Sequence, residues 1–138
     1  MSNPGMAISG AAMVRAADAM LHSLGGDQVI LLFPLLTMPN DPSVQLGLVD
    51  PGTQQVPFSP VVVRTLATPS NGPRRRLEFL ISSTAVNAAL TSLNMATAEI
   101  LFNSSLGVMF DNDLFHIENV ATEYFAGTPY LYRVTAVE

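Results

Sequence analysis

Residues 74–94 read RRRLEFLISSTAVNAALTSLN. Leu77, Phe79 and Ile81 alternate with Arg76 and Glu78, the two-residue period of a strand with one buried face. The period then changes. After Ser83 or Thr84, either of which suits a helix N-cap, Val86, Ala89, Leu90 and Leu93 recur at helical spacing. This stretch therefore predicts a strand running directly into a short helix at about 84–94.

Outward from it the chain is mostly strand-like. QVILLF, VQLGLVD and PVVVRTL come before it, and AEILFN, LGVMF, LFHIENV and YLYRVTAV after it. In VQLGLVD, for example, Val44, Leu46 and Leu48 alternate with Gln45 and Gly47. The clusters MPNDP, DPGTQQVP, ATPSNGP, DND and FAGTP separate the runs with residues that favour turns. Near the start, Met13, Ala16, Ala17, Met20, Leu21 and Leu24 share helical spacing opposite Arg15, Asp18 and His22, and Gly25-Gly26 follow as a stop. The expected plan is helix, four strands, short helix, four strands. The class is mainly β with helical decorations (α+β), a small β-barrel or sandwich, in a single domain 1–138 with an N-terminal helix about 8–24 and the barrel about 28–138. The helix is expected to pack through Met13, Ala17, Met20 and Leu24, on its own barrel or on a neighbouring subunit.

Composition narrows the function classes. Hydrophobic residues make up 49% of the 138 and charged residues 12%, about half the usual share for a soluble domain, so part of the uncharged surface is expected to be covered by partner subunits. A net charge of −5 opposes general nucleic-acid wrapping, which needs clustered cations. With no cysteine there is no disulfide scaffold, thiolate nucleophile or cysteine zinc site. The first residues lack a basic leader region, so no signal peptide is expected, and no run reaches the length of a membrane-spanning helix.

Few residues suggest chemistry. His22 and His116 are isolated from each other in sequence, and Asp111 and Asp113 flank Asn112 between two apolar runs, as in a hairpin turn. The oxygen ligands, glycine and terminal glutamate of an EF-hand are missing there. Glu118 and Glu123 could form a carboxylate pair only by an accident of folding, and NSS at 103–105 is a sequon without a secretion context. No phosphate loop, serine elbow or zinc-ligand spacing is found, so neither an enzyme nor a metal or organic cofactor is expected. The local anomaly is Arg74, Arg75 and Arg76, half of the six cations in a chain without lysine. They read either as a solvated loop tip or as a docking loop, since guanidinium groups pair bidentately with carboxylates and phosphates.

From residue 98 onward, AEILFNSSLGVMFDNDLFHIENVATEYFAGTPYLYRVTAVE resembles the closing section of small neck proteins of tailed bacteriophages, the head-to-tail connector and stopper proteins. In that family a strand ends in a short turn, a strand of the LFHIENV type follows, and one of the YLYRVTAVE type closes the barrel. The N-terminal amphipathic helix departs from the pattern. The resemblance implies a structural virion protein, assembled in the host cytoplasm. It would form a homo-oligomeric ring between portal or adaptor and tail proteins, around a channel that DNA passes without specific binding. Arg74, Arg75 and Arg76 would then dock on an acidic neighbouring ring. The alternative is a soluble small-molecule binding barrel or a noncatalytic accessory subunit.

Overall fold

The computed structural model describes residues 9–24, 27–34, 53–66 and 75–138. In chain order these form α1 (Gly10–Ser23), β1 (Asp27–Pro34), β2 (Thr53–Leu66), β3 (Arg76–Ser82), α2 (Ser83–Leu93), α3 (Ala98–Ser104), β4 (Gly107–Phe110), β5 (Asp113–Phe125) and β6 (Thr128–Val137). The strands pair antiparallel and close into a barrel in the order β1-β2-β3-β6-β5-β4, with β4 returning to β1. The expected mainly β class is thus met, as a barrel rather than a sandwich.

Strand alternation builds the interior. Leu77, Phe79 and Ile81 of β3 face inward as their period predicts, beside Val29 and Leu31 of β1, Phe58 and Val61 of β2, Val108, Phe115, and Val134 and Ala136 of β6. Phe79 meets Phe110 and Phe115 edge-on, with centroids 5.9 and 6.1 Å away. Val86 and Ala89 of α2 and Leu101 and Phe102 of α3 enter the same core, so these helices plug the end of the barrel where β3 finishes. Phe102 tilts against Tyr132, whose phenol is pushed above its usual pKa, first by burial.

Strand and helix meet at Ser82, and this moves the cap. Ser82 is the last residue of β3 and also the N-cap of α2, its hydroxyl accepting from Ala85 N at 3.2 Å, in place of the expected Ser83 or Thr84. Because strand turns into helix with no intervening loop, the cap falls on the last residue whose backbone is still extended. At the far end Asn94 takes the left-handed conformation, φ 54°, that closes a helix.

Several expectations are corrected. AEILFN is the helix α3, not a strand: Thr97 caps it, accepting from Ile100 N at 3.2 Å, and Leu101 and Phe102 are buried while Ile100 is exposed. A short apolar run fits either period, and the cap together with the plugged barrel end selects the helix. The described residues therefore contain six strands, and VQLGLVD lies outside them. β2 begins at Thr53, absorbing residues of the cluster expected to be a turn, and β5 continues to Phe125. The DND turn is present: Asp111 and Asn112, at φ 54° and 63°, form a two-residue hairpin loop between β4 and β5.

The buried face of α1 is also rotated from the expected one. Ala17 and Leu21 are buried, whereas Met20 and Leu24 are 58% and 61% exposed. Asp18, assigned to the polar side, instead faces α2 and accepts from Thr84 Oγ1 at 2.7 Å. α1 packs against β6, β3 and β2, and small residues let it lie close: a side chain at Gly10 would collide with Thr128. Close approach favours the Gly10, Ala17, Leu21 stripe over the methionine stripe.

Candidate functional site

The arginine-bearing end of the barrel is where β3 begins, β6 finishes and β4 turns into β5. Arg75 stands just ahead of β3. Its Nε donates to Glu138 Oε2 at 2.7 Å, Nη2 donates to Asp113 Oδ2, and Nη1 lies 3.8 Å from Asp111 Oδ2. Its guanidinium carbon sits 5.2 Å from the centroid of Phe115, so the plane is backed by an aromatic ring. Glu138 N donates to Arg75 O at 2.9 Å, which extends the β3–β6 ladder by one bond. The hydrogen bond to Glu138, before any other influence, raises the guanidinium further above its ordinary pKa. Arg75 is a latch joining the β4–β5 hairpin to the end of β6.

Arg76, the first residue of β3, reaches over β6 to Glu118 on β5 at 3.1 Å. The remaining strand charges form a ladder on the outer face. Arg64 on β2 lies opposite Glu78 on β3, 3.2 Å apart, and Arg133 on β6 contacts Glu78 at 3.5 Å and Glu123 on β5 at 2.9 Å. These are cross-strand and diagonal neighbours, the pairs a sheet brings together. Each described strand arginine thus has a carboxylate partner within the chain, although Arg76 Nε is buried without a hydrogen bond. Arg74 lies outside the described residues.

The other sequence candidates stay apart. His22 is exposed in the last turn of α1, and His116 is exposed on β5. Glu118 and Glu123 do not form a carboxylate pair, because each is held by its own arginine. Among the described residues no three His, Asp or Glu side chains gather as a metal site, and no helix is long and apolar enough to cross a membrane. Sequence reading missed the partners of Arg75. The available signal was that Asp111 and Asp113 border a tight hairpin, but nothing local ties that hairpin to residue 75.

Among the described residues two surface grooves flank the plugging helices. One groove of about 330 Å³ lies between α3 and β5, bordered by Glu99, Asn103, Asn119 and Thr122; another of about 320 Å³ lies between α2 and β2, bordered by Val56, Ser59, Ala88 and Ser92. The first groove also carries Glu118, but that carboxylate is held by Arg76, which leaves Glu99 alone, and the second is lined by no titratable side chain. Comparison of the chain with family models, with curated proteins and with solved structures gave no match.

Proposed function

We propose that this chain is a structural protein of the neck of a tailed bacteriophage, forming a homo-oligomeric ring around the DNA passage between head and tail. The observation that carries the reading is the filled barrel. Phe58, Phe79 and Phe115 are each no more than 1% exposed at its centre, so among the described residues aromatic side chains occupy the space a ligand would need, and recognition falls to the outer surface. That surface is poor in free charge, since Arg64, Arg75, Arg76 and Arg133 are all paired at home, and it exposes Met20, Leu24, Leu106 and Tyr124. Uncharged surface with scattered large apolar side chains suits contact with other subunits. The segments resembling phage neck proteins, LFHIENV and YLYRVTAVE, fall in β5 and the β6 end, the strands that close the barrel.

The home pairing of Arg75 and Arg76 narrows the docking role of the triplet. Within the reading, Arg74 and the outer rim of the Arg75 latch face the adjacent ring, while Arg76 serves the barrel itself. The acidic balance, −5 overall, suits a passage along which DNA must slide without being held. The test is deletion of the gene from a phage that carries it. DNA-filled heads and separate tails that fail to join are expected, with restoration when the gene is supplied in trans; infectious particles formed normally without it would overturn the reading.

A further inference from the structure

The strands of this barrel are unequal, and among the described residues the mismatch leaves two long edges without a strand partner. β2 pairs with β1 from Thr53 as far as Val61 but with β3 only from Val61 onward, so among the described residues the β3-facing edge of its first half has no strand beside it. β5 pairs with β6 as far as Phe125 but with β4 only at Asp113, Leu114 and Phe115, so its β4-facing edge is open from His116 onward. Among the described residues no backbone hydrogen bond outside the ladders reaches either edge. The helices α2 and α3 stand beside these openings, each separated from its strand by one of the two grooves. An unpaired edge of this length is a template for another strand.

Their placement selects the partner. Around the closed order β1-β2-β3-β6-β5-β4, the path from the β2/β3 boundary to the β5/β4 boundary crosses β3, β6 and β5 one way and β4, β1 and β2 the other, three strands each. The two openings therefore lie on opposite sides of the barrel. Both are at the helix-plugged end, since β2 starts there and β5 finishes there. Their directions also match. β2 is antiparallel to β1, and stepping through β3 and β6 makes β5 antiparallel to β2. Two copies set side by side in the same orientation would thus bring β5 of one against β2 of the next as an antiparallel pair, without inverting either.

We infer that copies of this chain join head to tail through these edges, the open part of β5 in one copy pairing with Thr53–Phe58 of β2 in the next. Two unlike surfaces on opposite sides give a heterologous contact, the kind that closes into a ring and not into a two-fold dimer. The pairing run on β5 is bounded by its register shifts, at Ile117/Asn119 and at Glu123/Tyr124. The inference rests on the proposed ring and names the surface that builds it.

The absence of cysteine allows a direct test. Gln55 and Ala121 alternate with the core-facing Val56 and Val120, so both lie on the outward face of their strands. The full chain carrying Gln55→Cys and Ala121→Cys, treated with a short bis-maleimide, should give a ladder of covalent multimers on a denaturing gel, while each single variant remains monomeric. Dimers from Ala121→Cys alone would mean two-fold β5–β5 pairing and overturn the inference. Native mass measurement of the untreated protein, free and in purified particles, separates the remaining outcomes. Oligomers without cross-linking keep the ring but sink this contact, and a monomer in both settings sinks the ring and the contact together.

Discussion

Arg75 joins parts of the chain that are distant in sequence, with Asp111 and Asp113 on one side and Glu138 on the other. Its side chain and those of Asp113 and Glu138 remain 40–46% exposed, so salt screens the ion pairs, whereas the packing on Phe115 is insensitive to salt. Arg75→Ala should therefore melt below wild type at low ionic strength, with a gap that narrows as salt is added. Melting curves across a salt series check this; a constant gap would assign the loss to packing. Ala126 presents a different residue-scale problem. At φ 50° it occupies the left-handed region, beside Gly127 at φ 77°, in the two-residue loop joining β5 to β6. A side chain pays roughly 1–2 kcal/mol there unless it is Asn or Asp, and Asn-Gly is the preferred pair for such a hairpin. Ala126→Asn is expected to stabilise the protein by about 1 kcal/mol, read by denaturant unfolding.

The helices show how an element is decided by its ends and by what it packs on. α3 has a small buried face, Leu101 and Phe102, and a single capping side chain, Thr97. Removing the cap by Thr97→Ala should cost about 1 kcal/mol in unfolding free energy, and Thr97→Ser should restore most of it. Loss in both variants would show that the threonine methyl, not its hydroxyl, matters. In α1 the exposed Met20 predicts the reverse of what a buried methionine stripe would: Met20→Asp should change stability by no more than about 0.5 kcal/mol. A much larger loss in equilibrium unfolding would mean that Met20 is covered.

At the scale of the molecule, one core runs through the strands and both plugging helices, so damage at its centre is felt throughout. Phe79 is fully buried between Phe110 and Phe115, and Phe79→Ala should cost about 3–5 kcal/mol, comparable with a large share of a small domain's stability. The barrel and the proposed ring place their demands on different residues. Core positions hold the fold together, while the proposed ring draws on the edges of β2 and β5, so under that proposal edge variants should fold normally while changing oligomeric state. The run LFHIENV predicts a strand of about seven residues, and only pairing with β6 shows that it continues to Phe125, past its shorter neighbour GVMF.

The sequence by itself determined features set by residues a few positions apart: the alternation of β3, the change of period into α2, the Asp111–Asn112 turn, and the mainly β class that these add up to. Such features depend on backbone preference and on which face carries apolar groups, both of which local spacing records. Tertiary structure alone decided which face of α1 is buried, whether AEILFN coils or extends, and which carboxylates hold Arg75 and Arg76. It also decided where the ladders of the described strands stop. These outcomes depend on groups brought together from distant positions, where close packing and charge pairing outweigh local propensity.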